Sequence, residues 1–190
     1  MSAGGPHEAQ LRAWLAADDW RLACLEAVAA LDLPDGWIGA GFLRNLAWDR
    51  LHGFTAPTPL ADVDVIYFEP ASDMEREVEI EAALASRLER VPWSVRNQAR
   101  MHVRNGDAPY RNTEDALEHW LETPTAVAAR MTAGGELEIL APFGLADLFA
   151  LTVRPAPHAR SRQDRLKEYR LRVAEKGWTA IWADVQVYVQ

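Results

Sequence analysis

The chain has a single cysteine, Cys24, so neither an internal disulfide nor a zinc site built on paired cysteines is open to it. No apolar run approaches the ~18 residues that a membrane span needs. The opening residues, 1–10, lack the basic segment followed by an apolar one that marks a secretory signal. Basic residues are in the minority, 20 against 28 acidic, for a net charge of −8. That balance argues against a general surface for duplex nucleic acid. There is no internal repeat, no low-complexity tract, no P-loop and no Ser/His/Asp motif. These absences lead to the expectation of a reduced, cytoplasmic protein that does not enter a membrane. What is present is 190 residues, 49 % hydrophobic and 25 % charged, with eight tryptophans. That is enough for one domain with a substantial core, and it excludes wholesale disorder.

Periodicity organises the chain into an α/β (α+β) unit, a mixed sheet flanked by helices, with a mixed C-terminal extension. Residues 1–9 read as a flexible tail, residues 10–155 as the main domain, and residues 156–190 as a helix and tail packed on it. Strands are expected near residues 37–40, 63–68 and 93–103, lying side by side. Gly134-Gly135 marks a hairpin between residues 127–132 and 136–140. Long helices are expected at residues 74–91 and 161–176.

The sharpest local feature is Asp62-Val63-Asp64-Val65-Ile66-Tyr67. Strand alternation puts Asp62 and Asp64 on one face, roughly 6.5 Å apart along the backbone. Their carboxylates can converge on a hard cation, Mg²⁺ or Mn²⁺, which offsets their repulsion. Upstream lies Ile38-Gly39-Ala40-Gly41-Phe42-Leu43-Arg44-Asn45, a strand entering a helix through a small-residue turn. Gly39 and Gly41 allow close backbone approach. The helix start, with Arg44 and Asn45 in its first turn, suits a phosphate. Together the two elements point to a metal-bound nucleotide. Arg96, Arg100, His102 and Arg104 alternate on the expected third strand, where they bind anionic phosphate or form a solvated face. The basic residues of 160–172 read as a solvated helix face, with an RNA patch as the alternative. Trp120, Trp178 and Trp182 read as core, and Cys24 as a buried, inert thiol.

A strand, a glycine turn, a helix and then an aspartate pair leading a strand resemble the polymerase-beta-type nucleotidyltransferase superfamily. More closely, the sequence resembles an uncharacterised bacterial family within it. The residues that carry this are Ala40-Gly41-Phe42-Leu43-Arg44-Asn45, Trp48-Asp49-x-Leu51-His52-Gly53, Asp62 to Phe68, Trp93 to His102, Pro109-Tyr110, Glu122 to Ala126, and Ala141 to Phe149. The resemblance implies a Mg²⁺-dependent transfer of a nucleoside monophosphate from a nucleoside triphosphate to an unknown acceptor. Asp62 and Asp64 would hold the metal, and Gly39, Gly41, Arg44, Asn45 and Arg96 would bind the nucleotide. Active members carry a third carboxylate on the next strand. The candidate at that place here is Asn97, and Phe42 stands where the family has Gly or Ser. Those departures imply the alternative of a weak or inactive module that binds nucleotide or a protein partner.

Overall fold

The computed structural model describes residues 5–189. The first described elements are two helices in contact, α1 (Pro6–Ala16) and α2 (Asp19–Ala29). The break between them comes at Asp18, whose carboxylate accepts from the Arg21 N–H and caps α2. Pro6 suits the first turn of α1, where a missing N–H costs nothing. Residues 6–9, read from the sequence as the end of a tail, are therefore helical, while residues 1–4 lie outside the described residues.

The chain then enters β1 (Trp37–Gly39) and α3 (Gly41–Leu51), and after a loop β2 (Val63–Tyr67). Next come α4 (Glu75–Arg87), β3 (Trp93–Asn97) and α5 (Gln98–Asn105). The expected third strand is thus half the length read from alternation. It stops at Asn97, whose side chain accepts from the Ala99 N–H and starts α5. Arg100, His102 and Arg104 lie on that helix, so they do not alternate along a strand. The second half contributes α6 (Thr113–Glu118), the hairpin β4 (Ala128–Met131) and β5 (Leu137–Leu140), and α7 (Ala146–Phe149). A short parallel pair, β6 (Thr152–Val153) with β7 (Gln186–Val187), brackets α8 (Pro157–Ser161), α9 (Gln163–Lys176) and α10 (Trp178–Ile181).

The main sheet has five strands in the order β3-β2-β1-β4-β5. β2 runs parallel to β3 and antiparallel to β1, with Asp64 opposite Ser94 and Tyr67 opposite Asn97. Helix α3 is buried almost all round, from Phe42 to Asp49, because it lies under the sheet and is covered by the C-terminal segment. A helix enclosed in this way shows little amphipathic pattern. Trp48, Trp178 and Trp182 pack edge to face, with Trp48 centroids 5.9 and 5.1 Å from the other two. Cys24 is buried in the same core, and burial pushes its thiol up to about 12. No helix among the described residues is long and apolar enough to cross a membrane.

One buried carboxylate ties the layers together. Asp49, near the end of α3, accepts from Thr58 N–H (2.8 Å), Thr58 Oγ1 (2.6 Å) and Trp182 Nε1 (2.8 Å). It thereby fixes the loop before Asp62 and the segment after α10 to one helix. His52, one turn on, is locked between the Trp48 carbonyl (2.8 Å) and the Asp184 N–H (3.2 Å), a structural role at the helix end. Trp182→Phe keeps a ring on Trp48 but withdraws a charge-assisted hydrogen bond from a buried carboxylate. It should cost about 1–3 kcal/mol in chemical denaturation. An unchanged midpoint would show that Asp49 does not hold the C-terminal segment.

Candidate functional site

Asp62 precedes β2 and Asp64 is its second residue, so both turn to one face of the sheet. Asp62 is exposed and Asp64 half-buried. Among the described residues no N–H, hydroxyl or basic group is bonded to either carboxylate. Both open into a cavity of about 270 Å³ lined also by Ala40, Gly41, Arg44 and Asn45, and by Arg172, Lys176, Trp178 and Trp182 from the C-terminal segment. Burial, and then the neighbouring Asp62, push the Asp64 carboxyl up to about 6, against the pull of Arg172, Lys176 and Arg44. Two carboxylates that lack protein donors are a donor set suited to a hard divalent cation. The residues present fit Mg²⁺ or Mn²⁺.

The opposite wall carries cations. Arg44 is buried, and that burial brings its guanidinium down to about 10, with the Glu122 carboxylate opposing the shift. Its Nη2 donates to Asn45 Oδ1 at 2.8 Å, and its Nε has no partner. The guanidinium lies over the rings of Trp178 and Trp48, 4.9 and 5.5 Å from their centroids. A guanidinium enclosed in this way and lining a cavity is a site for an anion. Arg172 is drawn to the same region by Glu122, with Nε 2.8 Å from Oε1 in an ion pair off the line of a directed hydrogen bond. Glu122 is itself buried, and its other oxygen accepts from Thr125 Oγ1 at 2.7 Å. Ala40, at the cap of α3, has φ 52° and ψ −122°, a backbone strained for any residue with a Cβ. That turn presents the start of α3 to the cavity. A Cβ on Gly41 would come within 3.3 Å of Arg44 Nη2, so the glycine leaves the guanidinium its place.

Of the residues singled out in the sequence, the structure brings Asp62, Asp64, Gly41, Arg44 and Asn45 together. Three fall elsewhere. Asn97 sits three rungs along the β2–β3 ladder from the Asp64–Ser94 pair, on the order of 10 Å away, and on the opposite face. It is fully buried and satisfied. Its Oδ1 accepts from Glu69 N–H and Ala99 N–H, and its Nδ2 donates to the Glu69 carbonyl and Ser72 Oγ. It cannot reach a metal at the aspartate pair, and its role is to cap α5. The position on β3 that adjoins Asp64 belongs to Ser94. Arg96 is exposed and drawn to Glu81 (3.5 Å) and Glu77 (3.9 Å) of α4, in a separate cleft. Gly39 does not line the cavity. It is packed in β1, where a Cβ would meet the Trp120 ring at 3.1 Å.

The sequence reading missed Arg172, Lys176, Trp178 and Trp182 as members of the site. The signal was the basic run on the last helix followed by Gly177. That glycine adopts φ 56°, which lets the chain turn straight from α9 into α10 and carry both tryptophans over the cavity.

A family model described as nucleotidyltransferase matches residues 26–187. A structure determined by NMR and described as revealing a CCA-adding enzyme head domain is 29 % identical to the chain. It has a TM-score of 0.85 and covers 95 % of each chain. A tRNA-processing enzyme in an apo form shares the fold at 15 % identity and a TM-score of 0.50, covering 89 % of this chain and 42 % of its own. No curated protein matches the chain.

The Asp64 shift has a consequence for stability. In metal-free protein the fold binds the Asp64 proton more tightly than the unfolded chain does. The stabilisation is complete below the ordinary value of 3.8 and is lost as pH rises through about 6. Asp64→Asn cannot ionise. Its stability relative to the parent, measured by urea denaturation in chelator, should therefore grow by about 2–3 kcal/mol from pH 4 to pH 8. A difference that does not change with pH would show that Asp64 is not held in a desolvated, acid-rich place.

Proposed function

The chain belongs to the nucleotidyltransferase family whose model spans residues 26–187, and from that premise we propose that it binds a nucleoside triphosphate with Mg²⁺ and transfers the nucleoside monophosphate to an acceptor oxygen. The observation that carries this reading is the pairing of two undonated carboxylates with three cations, Arg44, Arg172 and Lys176, around one cavity. A metal-free triphosphate would be repelled by the aspartates, and a bare aspartate pair would not need the cations. A metal–triphosphate complex suits both walls.

Asp62 and Asp64 would hold Mg²⁺, which when bound supplies charge neutralisation of the triphosphate and of the in-line transition state. Arg44 meets the phosphates with the part of its guanidinium that lines the cavity, held in place by Asn45 and the two tryptophan faces. The free N–H groups at the start of α3 add donors and the positive end of the helix. Arg172 and Lys176 close the phosphate end from above. A narrower groove of about 150 Å³ adjoins the site through Arg172 and is lined by Gln98, Arg104, Trp120 and Arg165. An aromatic ring among cations suits single-stranded RNA. That groove and the likeness to a CCA-adding enzyme head domain make RNA the first acceptor to test.

A second reading has its own support. The resemblance implies a third carboxylate on the strand after the aspartate pair, yet the β3 residue opposite Asp64 is Ser94, and among the described residues no acid but Asp62 and Asp64 lines the cavity. A serine is a poor base for the attacking hydroxyl. This favours a slow enzyme, or a module that binds nucleotide without turning it over.

Thermal shift and pyrophosphate release with each of the four ribonucleoside triphosphates separate these readings. With Mg²⁺ and nucleotide at about 100 times Kd, the parent gains about 2.7 kcal/mol, or roughly 5–10 °C. Asp62→Asn and Asp64→Asn should lose most of that gain while staying folded. A nucleotide-dependent shift equal in parent and variants would overturn the site. Ser94→Asp should raise Mg²⁺ affinity at least several-fold and speed any pyrophosphate release, because it places a carboxylate on the rung beside Asp64. No gain in either would remove Ser94 as the cause of slow turnover.

A further inference from the structure

A second cluster lies away from the aspartate cavity, where three separate segments meet. Asp107 follows α5, His119 ends α6 and His158 opens α8. One carboxylate oxygen of Asp107 and one nitrogen of each imidazole lie within 4.8 Å of one another. The two histidine rings are 4.3 Å apart, and His158 Nε2 is 2.9 Å from Asp107 Oδ1. The Asp107 side chain is 1 % exposed.

The far side of two of these groups is already fixed. His119 Nδ1 is 2.8 Å from the Asp115 carbonyl, an acceptor only. In the neutral imidazole Nδ1 therefore carries the proton, and Nε2 presents a lone pair. Asp107 Oδ2 accepts from Tyr110 OH at 2.6 Å, and that hydroxyl accepts from Asn105 Nδ2 at 3.0 Å. Protein metal sites are built in this way, with outer partners that set the tautomer and orientation of each ligand. A plain hydrogen-bonded cluster has no need of two adjacent imidazoles, one of them presenting a bare nitrogen.

We propose that Asp107, His119 and His158 form a zinc-class metal site, with His119 Nε2, His158 Nε2 and an Asp107 oxygen as ligands and a water in the fourth position. Two imidazoles and a carboxylate suit Zn²⁺ and its first-row neighbours, and do not suit Mg²⁺. Ligand atoms around tetrahedral Zn²⁺ stand about 3.3 Å apart, so the cluster contracts on binding. The proton on His158 Nε2 moves to Nδ1, and the imidazole stays neutral. Arg162 Nη1 now donates to Asp107 Oδ1 at 2.6 Å and must give way. It can do so, because Asp164 holds the same guanidinium by two bonds, at 3.2 and 2.6 Å, and the Gly106 carbonyl accepts from it at 3.2 Å. The bound ion would pin α8 to α5 and α6, and α8 leads into the helix that carries Arg172 and Lys176. The site stands on its own residues, whether or not nucleotide is turned over.

The test is titration of the full chain with Zn²⁺ by calorimetry, and with Co²⁺ by visible absorption. Both are done in an Asp62→Asn, Asp64→Asn background, so that the aspartate cavity cannot answer for the cluster. The expected result is one equivalent of Zn²⁺ bound at micromolar Kd or tighter, with four-coordinate Co²⁺ bands and no response to Mg²⁺. His119→Gln and His158→Gln should each weaken Zn²⁺ at least tenfold and abolish the Co²⁺ bands. Arg162→Ala, which removes the competing cation, should tighten Zn²⁺ several-fold; a merely structural Arg162 would only lower stability. His158 is half-buried on a five-residue helix, so His158→Gln keeps the test open if His119→Gln fails to fold. No Zn²⁺ binding, or binding unchanged in His158→Gln, would overturn the proposal.

Discussion

The carboxylate of Asp49 is the joint on which the candidate site depends. Three donors from two segments end on it, two from Thr58 nine residues on and one from Trp182 133 residues away. Asp49 bonds the loop that delivers Asp62 and the segment after α10 to one helix, beside the Trp48–Trp182 packing and the His52–Asp184 N–H bond that hold the same segment. A buried carboxylate is expensive to desolvate, so its bonds are worth most when all are made together. This is why one interaction can set the distance between the acidic wall of the cavity, on β2, and the basic wall, on α3 and α9. Glu122 does the corresponding work on the other side, holding Arg172 beside the field of Arg44.

The same charges account for the character of the site. Two acids and three cations face one another across a small cavity, and two tryptophans keep water from part of it. Each wall alone would be costly. Asp64 is forced up to about 6, and Arg44 is forced down to about 10. A ligand that carries both a divalent cation and several negative oxygens relieves both shifts at once. The family to which the chain belongs is described as nucleotidyltransferase. The geometry says which side chains of this chain would meet each part of such a ligand.

Much of this was legible in the sequence, for identifiable reasons. The β2 strand, its two acids and the glycine turn before α3 are local patterns whose period fixes the face. The reading failed where local pattern competes with capping. Apolar and polar residues still alternate past Asn97, but Gln98, Ala99, Arg100 and Met101 are good helix formers, and Asn97 is a good cap, so the chain turns helical there. The error propagated, since a strand drawn to residue 103 made Asn97 look like a ligand and Arg96 like part of a phosphate-binding row. The C-terminal cations were visible as a run of charge, but their approach to Asp64 depends on a chain return that no local period records. Ala40 gave no sign of its positive φ between two glycines that could have taken it.

The most direct test of a single metal–triphosphate cavity is paramagnetic broadening in ¹⁵N-labelled protein titrated with Mn²⁺ and a nonhydrolysable nucleoside triphosphate. The account predicts that amide signals of residues 40–45, 62–64 and 172–178 are lost together, and only when metal and nucleotide are both present. Broadening centred instead on the acids of α4 beside Arg96, or loss around residues 62–64 with residues 172–178 untouched, would contradict it.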